Sequence, residues 1–120
     1  MDANQIPQHI KDAFAKKFPG VEPKEWETET AYEAEFEQNG KEVEVNIDAD
    51  GNITQIEYEM EVENLPSMVK TAIQEEYPYC EAEDAERVEK ADGSIVYEVS
   101  LKFQVHLTPE GKVAALGKDL

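Results

Sequence analysis

The chain has 120 residues, enough for one ordinary domain or two small half-domains. It carries 28 Asp and Glu against 11 Lys and Arg, a net charge of -17, yet 40% of its residues are hydrophobic, which leaves material for a core. Such a chain repels nucleic acid and anionic membrane surfaces, has no apolar run near the ~20 residues of a membrane helix, and with Cys80 alone can form neither an internal disulfide nor a multi-cysteine metal site.

Met1-Asp2-Ala3-Asn4-Gln5 is polar and runs straight into a helix signal, so no leader peptide is read there. Ile6, Ile10, Ala13, Phe14 and Phe18 recur at spacings of three and four, one face of a helix. Pro7 suits its first turn, and Pro19 disfavours helical geometry at Phe18 and stops it. Trp26, Thr28, Thr30, Tyr32, Ala34 and Phe36 then alternate with mostly acidic neighbours, the period of a strand with one buried face. Asn39-Gly40 marks a two-residue hairpin. Such a loop pairs Phe36 with Val43 and switches the inward set from even to odd numbers, as Val43, Val45 and Ile47 bear out. Asp50-Gly51 makes the next turn, and Ile56, Tyr58 and Met60 alternate after it.

The pattern then starts again. Leu65-Pro66 and Tyr77-Pro78 repeat Ile6-Pro7 and Phe18-Pro19 at a spacing of 59, and Glu110-Gly111 repeats Asp50-Gly51 at 60. Leu65, Val69, Ala72, Ile73 and Tyr77 form the second helical face. Asp92-Gly93 is a turn, and Tyr97, Val99, Leu101, Phe103, Val105 and Leu107 hold one parity, which predicts a single long strand over 95–107. The spacing of Val113 and Leu116 copies that of Ile53 and Ile56 and predicts a bulge at the same point in both copies. The expected fold is α+β. It is a single domain over 1–120 made of two tandem α-β-β-β repeats, 6–61 and 65–120, forming an antiparallel sheet with both helices packed on one face.

These landmarks resemble the PepSY-like, beta-lactamase-inhibitor-like domain of bacterial envelope proteins. The residues that carry the resemblance are Ile6-Pro7, Phe18-Pro19-Gly20-Val21, Tyr32-Glu33-Ala34-Glu35-Phe36 and Asp50-Gly51, then Leu65-Pro66, Tyr77-Pro78, Tyr97-Glu98-Val99 and Glu110-Gly111. The resemblance implies a periplasmic or secreted protein that binds or restrains an enzyme such as a peptidase. It implies no catalytic residues. Tyr79-Cys80 departs from the pattern, standing where the first copy has Gly20-Val21.

The outward positions of the first sheet are acidic: Glu27, Glu29, Glu33, Glu35, Glu37, Glu42, Glu44, Asp48, Glu57 and Glu59. One reading is a solvated face that resists edge-to-edge aggregation. The other is a docking face for a protein partner with a basic surface, carried by Glu33, Glu35, Glu44 and Glu57; the alternative function for the same carboxylates is to bind or sense calcium or another cation. Asp48-Ala49-Asp50-Gly51-Asn52 invites a calcium loop, but its glycine falls at the fourth position where an EF-hand needs it at the sixth. Close carboxylate pairs suit glycoside hydrolysis, yet they are inevitable at this composition. His9 falls on the helix face away from Ile6 and Ile10, and His106 on the polar face of its strand, so no nucleophile–histidine pair is assembled. Cys80 has acidic neighbours and reads as a partly buried, inert thiol. Trp26 reads as core, Tyr79 as a loop residue open to contact. No catalytic residue, no metal-ligand set and no cofactor is expected, and the function predicted is non-catalytic protein binding.

Overall fold

The computed structural model describes residues 2–28 and 31–117. It falls into two compact units, Met1–Glu59 with Arg87–Val96, and Met60–Glu86 with Tyr97–Leu120. The fold is α+β, and the described residues form two α-helices and eight antiparallel strands.

In the first unit a 3-10 turn, Ala3–Gln5, leads into α1 (Gln8–Lys17), and Pro7 sits one residue before the helix. The helix ends where Phe18 leaves the helical region, at φ -126° and ψ 74°, ahead of Pro19. The strands β1 (Glu25–Thr28), β2 (Tyr32–Gln38), β3 (Lys41–Ile47) and β4 (Ile53–Met60) follow one another in sheet order. Residues Arg87–Lys90, the end of β5 (Cys80–Lys90), come next in that order, and the Ala91 N–H donates to the Thr54 carbonyl.

The segment read as one strand over 26–36 is two strands. Trp26 stands opposite Ala34, and Thr28 opposite Tyr32. Glu29 and Thr30 lie outside the described residues. Alternation hid this turn because every paired number sums to an even value, so even residues face inward on both strands. The next turn is of the opposite kind and behaves as predicted. Gln38 pairs with Lys41 and Phe36 with Val43, around Asn39 and Gly40, whose positive φ values of 54° and 79° make the tight hairpin turn.

The inward residues Trp26, Ala34, Phe36, Val43, Val45, Ile47 and Ile56 pack under Ile6, Ile10 and Phe14 of the helical segment. Phe14 is the hub. Its ring lies 5.4 Å from Phe18, 5.9 Å from Trp26 and 5.8 Å from Phe36, the last two edge-on. Such aromatic contacts add about 0.5–1.5 kcal/mol each beyond simple burial.

The second unit repeats the design with a different ending. A 3-10 turn, Val62–Asn64, precedes α2 (Ser67–Glu76), and Tyr77 ends the helix as Phe18 ends α1. The long strand expected over 95–107 is broken at Gln104. It forms β6 (Ile95–Phe103) and β7 (Val105–Leu107), and β7 pairs with β8 (Val113–Leu116) in a separate two-stranded sheet. The Gln104 carbonyl instead accepts the Gly117 N–H at 2.7 Å. Side-chain parity reports the face of a strand and not its partner, so it runs through such a break unchanged. The predicted bulge is present in both units, between Asn46 and Ile47 and between His106 and Leu107.

Candidate functional site

Because Trp26, Ala34, Phe36, Val43, Val45 and Ile56 point to the core, their strand neighbours must point away from it. Those neighbours are glutamates, and the register stacks them into rows. Glu25 pairs with Glu35, Glu35 with Glu44, and Glu44 with Glu57, one row across four strands. A second row runs Glu27, Glu33, Asn46, Gln55. The four residues named from the sequence, Glu33, Glu35, Glu44 and Glu57, are therefore brought together on one face, and all four are half-buried.

Directly opposed side chains have Cβ atoms ~4.5–5.5 Å apart. Two charges ~4 Å apart repel by about 1 kcal/mol in water and by more where water is partly excluded. The face answers by holding protons. Burial first, then a hydrogen bond shared with Glu33, then the charges of Glu33, Glu57 and Glu35 push the Glu44 carboxyl up to about 8. Burial and the charges of Glu42, Glu25 and Glu27 raise Glu35, and the charge of Glu25 and a hydrogen bond with Glu33 raise Glu27. Near neutral pH, Glu44 is thus a proton donor to Glu33 inside a field of carboxylates.

Neutral and cationic groups temper the rest. Gln55 donates from Nε2 to Glu57 Oε1 at 2.9 Å and accepts Lys90 Nζ on its own Oε1 at 2.7 Å. Lys24 Nζ reaches Glu42 at 2.9 Å and Glu37 at 3.7 Å, and the bond to Glu42 holds its ammonium charged beyond the usual range. Sequence reasoning missed both Lys24 and Gln55. Lys24 lies in the loop before β1, where no periodicity marks a residue, and Gln55 is visible only once the register is known.

The loop Asp48–Asn52 does not present an open calcium cage. Asp48 Oδ1 already accepts the N–H groups of Asp50 (3.0 Å) and Asn52 (2.9 Å), and these bonds keep its carboxyl below the usual range. The equivalent turn of the second unit puts Thr108 in this role, its Oγ1 accepting the Lys112 N–H at 3.1 Å. His9 also has a structural task that spacing did not reveal. Its Nε2 donates to the Ala49 carbonyl at 2.8 Å, and a Cβ placed on Gly51 would meet its ring at 3.5 Å. His106 is exposed, Trp26 is core, Tyr79 is exposed, and Cys80 is a free, half-buried thiol.

The family described as "Putative beta-lactamase-inhibitor-like, PepSY-like" matches residues 1–55 and 30–114. The chain belongs to this family. No curated protein matches it. Among solved structures it is similar to a BLIP-like protein of Bacteroides fragilis, 27% identical, with 99% of this chain and 95% of that one covered and a TM-score of 0.69. It has the fold of a DUF2874 family protein of Bacteroides uniformis (19% identical, 92% and 88% covered, TM-score 0.75). It also has that of a protein of Bacteroides eggerthii described as "putative periplasmic" (18% identical, 92% and 86% covered, TM-score 0.73). Family membership explains the repeated entry and exit of the two helices. It also sets off the departure at Tyr79-Cys80. The first copy turns through Gly20 at a φ of 77°, whereas no described residue other than Asn39 and glycines has a positive φ, so the second copy leaves its helix by another route.

Proposed function

We propose that this PepSY-like chain is a non-catalytic, extracytoplasmic protein-binding module. It inhibits or restrains an envelope enzyme such as a peptidase, and it docks on a basic surface through Glu33, Glu35, Glu44 and Glu57. The observation that carries the reading is the row Glu25–Glu35–Glu44–Glu57, laid across four strands on the face opposite the core. A proton held by Glu44 near neutral pH marks a site whose full charge is costly without a cationic partner. The BLIP-like and periplasmic descriptions of the similar structures support the inhibitor class and the compartment.

The test is an affinity capture from envelope extract of the source organism. The native protein is one bait, and a folded Glu33→Lys, Glu35→Lys, Glu44→Lys variant is the other. The reading expects a partner held by the native bait, released by salt and lost on the variant. Equal capture on both baits assigns binding to another face, and a calcium-induced rise in melting temperature beyond a salt-matched control assigns the same carboxylates to cation binding.

A further inference from the structure

In the first unit Ile10 and Phe14 are 0% and 2% exposed. Their equivalents in α2, 59 residues on, are Val69 and Ile73, and both are only half-buried. No residue of α2 is buried, and Tyr77 at its end is 54% exposed. Leu65, just before the helix, is buried, but the apolar stripe from Val69 to Tyr77 is only partly covered. Beside it runs an open groove of about 620 Å³, whose apolar lining includes Leu65, Ile73, Tyr77 and Ala82. That volume lies within the ~300–1,000 Å³ of sites that enclose a small ligand or a few side chains.

The rim of the groove is acidic. Glu63, Glu81 and Glu83 line it, and its one cation, Lys70, is turned to the Glu63 carbonyl, which accepts its Nζ at 2.5 Å. The bias extends beyond the rim. Residues 60–86 hold eight acids and one base, while residues 97–120 of the same unit hold three of each. An uncharged apolar ligand would bury the apolar lining and leave these carboxylates to be desolvated without partners. A second copy of the chain would bring its own charge of -17 to the contact.

We propose that this groove holds a short peptide segment of a partner protein, in which aliphatic or aromatic side chains are flanked by lysine or arginine. The apolar side chains lie on Leu65, Ile73 and Ala82, and the cations meet Glu63, Glu81 and Glu83. This site uses none of the residues of the acidic sheet face and stands independently of that reading.

The probe is a blocked heptapeptide, Gly-Lys-Leu-Lys-Leu-Lys-Gly, titrated into the full chain at low salt while backbone amide shifts are followed by NMR. Saturable shifts are expected at Leu65, Ile73 and Ala82. Replacing the lysines by glutamate, or the leucines by serine, is expected to weaken binding about tenfold or more. The variant Glu63→Gln, Glu81→Gln, Glu83→Gln is expected to weaken it to a similar degree with its circular dichroism unchanged, whereas Asp12→Asn, Glu22→Gln, Glu110→Gln, which removes three exposed charges outside the groove and the sheet face, leaves it as it was. Ala82→Trp, which fills the groove from its lining without altering charge, is expected to block the peptide. Shifts confined to the sheet glutamates, equal binding of the serine peptide, or groove amides that move on dilution of the protein alone would each overturn the proposal. The last of these outcomes would place a second copy in the groove.

Discussion

Glu44 holds its proton up to about 8 because it is half-buried among other carboxylates, and this has a consequence for stability. Its ordinary value is 4.5, so between these two values the folded protein binds more protons than the unfolded chain. Stability contributed by this proton is complete below the ordinary value and is lost as pH rises through about 8. Melting temperature is therefore expected to fall from mildly acidic toward mildly alkaline pH. Glu44→Gln keeps the shape and removes the titration. It is expected to flatten that slope and to stabilise the protein near pH 8 by about 1–2 kcal/mol, a figure that allows for screening by water at a half-exposed site. Melting curves of both proteins across this range check it; parallel slopes would remove Glu44 as the cause. Asp48 and Asp92 act in the opposite sense, since backbone and side-chain donors lower both, and their contribution is lost as pH falls below the ordinary carboxylate range. Gly117 is constrained by contact and not by charge. Its φ is 71°, and a Cβ there would stand 2.6 Å from the Tyr79 carbonyl oxygen. Gly117→Ala is expected to cost about 1–3 kcal/mol or to release β8, visible as loss of protection at Val113 and Leu116 in hydrogen exchange.

The two helices test how far burial, and not sequence pattern, sets the strength of an element. Phe14 and Ile73 occupy the same place in the repeat, yet Phe14 is the buried hub of four aromatic rings and Ile73 lines an open groove. Phe14→Ala is expected to cost about 3–5 kcal/mol, and Ile73→Ala about 1 kcal/mol or less. Chemical denaturation of the two variants measures both, and comparable losses would mean that α2 is covered in solution. The same contrast predicts that amides of α2 exchange faster than those of α1. Neither difference is legible in the sequence, because Ile10/Phe14 and Val69/Ile73 carry the same periodic signal. The helices, the Asn39-Gly40 hairpin, the paired bulges and the inward residues of β2 and β3 were legible, since each follows from local spacing or turn chemistry. The turn between β1 and β2 and the break at Gln104 were not, because both preserve side-chain parity. The acidic face was legible as a list of residues, but its ordering into rows required the register, and so did the roles of Gln55 and Lys24.

A chain of net charge -17 repels itself at every distance that salt does not screen. The screening length falls from ~30 Å at 0.01 M salt to ~10 Å at 0.1 M. Close ion pairs such as Lys24–Glu42, at 2.9 Å, are attractive and weaken with salt, so the two effects oppose each other. Lys24 is exposed, and exposed pairs contribute little. With 28 acids against 11 bases, repulsion has the greater number of terms. Melting temperature is therefore expected to rise with sodium chloride and to rise equally with potassium chloride, because screening depends on ionic strength and not on the identity of the ion. The rise should be larger near pH 8 than near pH 5, since at the lower pH Glu44 sheds its charge by taking a proton. A fall in melting temperature with salt would show that ion pairs outweigh the repulsion. An effect of calcium chloride that saturates at low concentration, above that of sodium chloride at matched ionic strength, would show that the carboxylates hold a specific ion and not a diffuse atmosphere.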